Sequence, residues 1–166
     1  MKKHDPDDIA PKPHPPKLMD AILDVIIAWP VLETSLTYWI SLALNIRPSE
    51  TGILLGAMDT RTKIDKLDAL YAHRKNTEEE TLLKKLSSGH KEHVKVRNTI
   101  AHAQLLGSSK RKPDEMYFLT SRAVPDEYGF MVILRVPLAD MENAARFARD
   151  SSADIRALLK ARGLEV

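Results

Sequence analysis

The spacing of apolar residues predicts helices over most of this chain. From Lys17 onward, Leu18, Ile22, Val25 and Ile26 recur at helical spacing, and Leu32, Leu36, Trp39, Ile40, Ala43 and Leu44 continue the row. Pro30 falls inside that run and either kinks one long helix or starts a second at its first turn. Arg47-Pro48-Ser49-Glu50 ends it, and a short helix through Ile53, Leu54, Leu55 and Met58 is expected next. Asp59 or Thr60 suits the cap of a third segment, striped by Ile64, Leu67, Leu70 and Tyr71. Asn76-Thr77 is a break. Thr77, with Glu80 three residues on, then has the form of a capping box opening a long helix.

That long helix carries two stripes. Leu82, Leu86, Val96, Ile100 and Ala103 make one, with Gly89 and His93 in its middle positions. Val94, Asn98, Ala101 and Leu105 make the other, with Arg97 between the two. A helix with two usable faces is central in a bundle or lies against a partner chain. Gly107-Ser108-Ser109 is expected to end it, and Lys110-Arg111-Lys112-Pro113 follows as a short basic loop. After Pro113 the period changes. Met116 to Leu119 and Phe130 to Val136 read as two strands joined through Pro125 to Gly129, one hairpin over about 115–136. A last helix runs from about Leu138 to Ala161, with Gly163 suited to its end. The expected fold is mainly α: an up-and-down helical bundle of four to five helices with one small β-hairpin before the last.

The first 17 residues stand apart. They hold five prolines, three aspartates and four lysines, with Ile9 the one large aliphatic after Met1. Such a segment has too little apolar surface to fold alone, so a flexible Pro-rich arm is expected over 1–17 and a single domain over 18–166. Composition bounds the rest. The 166 residues are 43% hydrophobic and 29% charged, which is ordinary globular material. A net charge of +2 is too weak to argue nucleic-acid binding by itself. The absence of cysteine excludes disulfides, thiolate metal sites and a cysteine nucleophile. No apolar signal core follows the N-terminal lysines, and the longest mostly apolar stretch, Leu36 to Ile46, is too short for a bilayer. A soluble, cytoplasmic protein without membrane contact is the expectation.

Candidate chemistry concentrates in Arg97-Asn98-Thr99-Ile100-Ala101-His102. Asn98 and His102, at i and i+4, lie almost above one another on a helix, while Arg97 is about 140° from His102 and borders that face. An imidazole moves protons near neutral pH, and a guanidinium holds a phosphate through two parallel hydrogen bonds. Together they can cut a phosphodiester without a metal. The competing reading is a polar seam at a helix interface. His90 and His93, with His73 or Glu92, could form a metal site, but they meet no zinc spacing. Trp29 and Trp39 sit among apolar residues and read as core. Gly52 and Gly56 lack the Lys-Ser or Lys-Thr that a phosphate loop requires. Neither a metal nor a cofactor is expected.

Arg97-Asn98 followed, after three intervening residues, by His102 resembles the signature of the HEPN superfamily (higher eukaryotes and prokaryotes nucleotide-binding). Trp29-Pro30-Val31-Leu32-Glu33, Lys63-Ile64-Asp65-Lys66-Leu67 and Val96 to Ala103 are similar to uncharacterised bacterial HEPN-like proteins, and the likeness covers roughly 18–106. The resemblance implies a homodimer in which two copies of the motif helix form one site, and a metal-independent endoribonuclease activity. On it, His102 transfers a proton at the ribose 2′-hydroxyl or the leaving 5′-oxygen, Arg97 binds the scissile phosphate, and Asn98 orients either. Lys110, Arg111 and Lys112 become phosphate-binding candidates. The resemblance also implies, for several members, toxin action with an antitoxin or a small nucleotidyltransferase as partner. Other members are non-catalytic dimerisation, nucleotide- or protein-binding modules, and that is the alternative for this chain.

Overall fold

The computed structural model describes residues 8–10, 13–56, 58–74, 77–124 and 127–164, with backbone only at 77–78, 122–124 and 127–130. It is mainly helical. Among these residues are five helices, α1 (Pro16–Leu44), α2 (Pro48–Leu55), α3 (Thr60–Arg74), α4 (Thr77–His102) and α5 (Leu138–Ala161). Four strands, β1 (Ile9–Ala10), β2 (Gln104–Ser109), β3 (Glu115–Val124) and β4 (Glu127–Pro137), form one antiparallel sheet in the order β1-β2-β3-β4. The expected hairpin is thus β3–β4, and β2 and β1 extend it. No helix among the described residues is long and apolar enough to cross a membrane.

The chain divides into two compact units. One comprises the residues up to Ile27 together with His93–Ala145; the other comprises Ala28–Glu92 together with the residues from Arg146 on. The second unit is helical throughout and is built around aromatic side chains. α1 runs unbroken through Pro30, so the proline sits within one helix. Trp29 packs edge-to-face on His90, with ring centroids 5.8 Å apart, and lies 6.0 Å from the Phe147 ring. Gly89 makes room for that ring, since a Cβ there would collide with Phe147. Trp39 donates its indole N–H to the Tyr71 hydroxyl at 2.9 Å, tying α1 to α3. Leu32, Leu36, Ile64, Leu67, Leu83, Leu86, Ile155 and Leu159 fill the space between them and are all buried. Asp59, not Thr60, caps α3: its carboxylate accepts from the Thr62 N–H at 2.7 Å, leaving Thr60 to donate to Glu33 at 2.8 Å.

The first unit holds the sheet. α4 ends at His102, earlier than the stripe through Leu105 suggested. The Ala103 N–H closes its last turn on the Thr99 carbonyl at 3.0 Å, and the chain passes directly into β2. β2 pairs with β3 from Gln104↔Leu119 to Ser108↔Met116, with a bulge between Leu105 and Gly107. Long-range strand pairing therefore overrides a locally plausible helical continuation. Within the expected arm, Ile9 and Ala10 pair with Ser109 and Ser108. Asp8 is buried just before them, and its carboxylate accepts from the hydroxyls of Ser109 and Tyr117, both at 2.8 Å, and from the Arg111 N–H at 3.0 Å. The other arm positions up to residue 7, and 11 and 12, including His4, lie outside the described residues. On α1, Leu18, Ile22 and Val25 are buried as expected, but Ile26 is not. It joins Met19, Leu23 and Ile27 in an exposed row.

Candidate functional site

The Arg97, Asn98 and His102 side chains converge at the C-terminal end of α4. Asn98 and His102 are exposed and Arg97 is half-buried. The Arg97 guanidinium donates to Asn98 Oδ1 at 3.0 Å, and one of its nitrogens lies 3.3 Å from His102 Nε2. Around the helix axis Arg97 and His102 are about 140° apart, yet the long arginine side chain bridges the gap near the helix terminus. A guanidinium only donates, so its contact with Nε2 is a hydrogen bond when that nitrogen carries a lone pair and the ring is neutral. Asn98 thus touches Arg97, and through Arg97 the imidazole.

Local sequence accounts for this placement. Thr99 and Ile100 are buried and hold α4 to the unit's interior, which leaves the Asn98, Ala101 and His102 side outward. Thr99 returns its hydroxyl to the Lys95 carbonyl at 2.9 Å, so a polar side chain is buried without an orphaned group. Lys95, Val96 and Thr99 line a cavity of about 150 Å³ with Leu134, Arg135 and Val136 of β4 and Asp140 of α5.

The basic loop is set apart from these three residues. Strand β2 lies between His102 and Lys110, and six extended residues span about 20 Å. The loop is also engaged with carboxylates. Arg111 lies 3.8 Å from Asp8, and Lys112 lies 3.4 Å from Glu115, which Arg135 also approaches at 3.5 Å. The Lys110 N–H donates to the Asp8 carbonyl at 2.7 Å, and the Lys112 N–H to Ser109 Oγ at 2.9 Å. A larger open cavity of about 560 Å³ adjoins the loop, with Lys17, Arg111 and Lys112 on its wall beside Asp114, Glu115 and Glu142. Three cations and three carboxylates line it, so their formal charges cancel.

Sequence reasoning missed Asp8. It sits in a proline-rich segment with no periodic pattern, and nothing local marks it as a buried acceptor. Burial pushes its carboxyl up, but the hydrogen bonds from Ser109, Tyr117 and Arg111 and the Arg111 charge outweigh this, holding it below the ordinary aspartate value. The histidines weighed for a metal separate by environment: His90 is buried against Trp29, whereas His73 is exposed. Among the described residues no group of three or more His, Asp or Glu side chains is placed to hold a metal ion. Compared with protein-family models, with curated proteins and with solved structures, the chain shows no match.

Proposed function

We propose that this chain is a HEPN-like, metal-independent endoribonuclease whose site contains Arg97, Asn98 and His102. One observation carries the reading: a single guanidinium reaches both the amide of Asn98 and the imidazole of His102 at an exposed helix end. In the reaction, the ribose 2′-oxygen attacks phosphorus and the bond to the 5′-oxygen breaks, leaving a 2′,3′-cyclic phosphate and a 5′-hydroxyl. The substrate must be RNA, because DNA has no 2′-hydroxyl. The scissile phosphate takes the Arg97 fork, which stabilises the charge that builds on the non-bridging oxygens and releases His102 Nε2 for proton transfer. Asn98 holds the guanidinium in place. Each chain brings one such imidazole, and the reaction needs both a base and an acid, so a homodimer supplies the second.

The test incubates purified protein with mixed RNAs in EDTA and examines the ends. His102→Ala should abolish cleavage. Arg97→Lys should lower it by about 10²-fold or more, because an ammonium cannot reproduce the bidentate grip. His102→Ala should stay within about 0.5 kcal/mol of the parent in stability, as exposed substitutions do. Cleavage that survives His102→Ala, or that requires a divalent ion, removes the reading.

A second reading is favoured by a different observation. Met19, Leu23, Ile26 and Ile27 are 38–57% exposed and lie on one side of α1 at helical spacing. Contiguous apolar surface of this kind marks interaction sites, which suits a non-catalytic module that binds a protein such as an antitoxin or a nucleotidyltransferase. Such a module would be indifferent to His102→Ala in every assay.

A further inference from the structure

A small cavity flanks the side of α4 that carries His102. Around the helix axis the order is Arg97, Asn98, His102, Lys95, Thr99, Val96, so His102 stands between the guanidinium and the cavity wall. Lys95, Thr99 and His102 follow one another at i, i+4 and i+7, which sets the cavity about one turn before the imidazole. All of them, with the β4 and α5 residues that complete the lining, belong to the unit that holds the sheet.

The lining combines apolar walls with hydrogen-bond acceptors. Val96 of α4 and Leu134 and Val136 of β4 make the walls. Thr99 is buried and spends its hydroxyl proton on the Lys95 carbonyl at 2.9 Å, so its oxygen can only accept. The Asp140 carboxylate is the second acceptor. Among the described residues neither Asp140 nor Lys95 has an ion-pair partner, whereas Arg135 lies 3.5 Å from Glu115. The volume of about 150 Å³ matches the liquid share of roughly five waters, room for one flat heterocycle.

With the scissile phosphate at Arg97, as the ribonuclease reading on which this rests has it, we propose that the cavity receives a guanine base of single-stranded RNA next to that phosphate. Asp140 accepts from the Watson–Crick edge of the base, and Lys95, exposed at the rim, meets the backbone phosphate. Sequence-specific recognition of RNA targets unstacked bases and reads such edges. Guanine sets its N1–H and N2 amino group side by side, two donors that one carboxylate takes in parallel. Adenine and cytosine place one amino group beside a ring-nitrogen acceptor, and uracil places one N–H between two carbonyls. Each of these brings a lone pair against the acceptors of the cavity. The apolar walls cover the flat faces, which every base offers, so the acceptors make the choice.

The test is binding of short oligouridylates that carry one central guanosine, adenosine or cytidine, or uridine throughout. They are made with 2′-fluoro sugars, which have no 2′-hydroxyl and cannot be cut. The full chain should bind the guanosine strand about tenfold or more tighter than the others, as one bidentate base contact gives. Inosine in place of guanosine lacks the N2 amino group and should lose most of that preference. Asp140→Asn should bring the guanosine strand to within about twofold of the rest, since an amide sets one acceptor beside one donor. Lys95→Ala should weaken all the strands alike and lower the slope of log affinity on log salt by about 0.7. Equal binding of the strands by the parent, or a guanine preference that survives Asp140→Asn, overturns the proposal. So does a parent that binds none of them. Loss of cleavage with guanine selection intact removes the ribonuclease reading alone, whereas His102-dependent cleavage without guanine selection removes the base site alone.

Discussion

At one edge of the sheet β1 contributes two residues; at the other β4 contributes eleven. The short edge is fastened by polar groups. Asp8 gathers three hydrogen bonds to its carboxylate, and its carbonyl receives the Lys110 N–H. Gly107 completes the arrangement by lacking a Cβ that would strike the Ala10 carbonyl oxygen. The long edge has an apolar run and an exposed methionine, and among the described residues nothing comparable fastens it over Met131–Pro137. A backbone edge can be closed by a few side-chain bonds within the chain or left available to another chain. Hydrophobic periodicity distinguishes these outcomes poorly, because the closing groups at β1 are polar and distant in sequence.

The largest expected effect breaks the short edge. Gly107→Val should force β1 off β2, because the obstructing atoms belong to the Ala10 backbone and cannot rotate aside. Overpacking of this kind costs about 1–3 kcal/mol, readable in denaturant titration. Hydrogen exchange should localise the damage, with the Lys110 amide losing protection. A variant as stable as the parent, with that amide still protected, would show that β1 contributes little to the unit.

Acid should sharpen the same contrast. The Asp8 carboxyl is held below its ordinary value, so the folded form binds its proton less readily than the unfolded form. Its contribution is complete above the unfolded value of about 3.9 and is lost as pH falls through the lower, folded value. Below about pH 4 the amides of Lys110 and Arg111 should shift and exchange faster in the parent. Asp8→Asn should remove that titration, since its amide stays neutral throughout. Amide shifts that move equally in both proteins would place the acid response elsewhere.

Much of the architecture was legible because it depends on period. Leu18, Ile22, Val25, Leu32, Leu36 and Trp39 fall on a helical repeat, and all are buried. The β3–β4 hairpin follows its change of period, and Met141, Ala144 and Ala148 mark the buried side of α5. What escaped depends on partners distant in sequence. Leu105 extends a helical stripe, but pairing with Phe118 makes it a strand residue. Ile26 sits beside Val25 in sequence, yet the neighbouring elements cover only the Val25 side of the helix. At the site, the hexapeptide's residue types were evident, whereas the Arg97–His102 contact was not, because a helical wheel ignores side-chain length. The basic loop read as a phosphate contact, and nothing in its own sequence showed that Asp8 and Glu115 would lie beside it.

The smallest expected effect separates the two edges most clearly. Met131→Lys changes a side chain that is already 58% exposed, on a strand whose other edge stays paired with β3. Lysine can lay its aliphatic stem along the strand surface and keep its ammonium in water, so little apolar contact is lost. The two proteins should unfold within about 0.5 kcal/mol of each other. The comparison is a denaturant titration of each protein. A variant destabilised by more than that would mean that Met131 supports the fold of its own chain, as Asp8 and Gly107 do at the opposite edge.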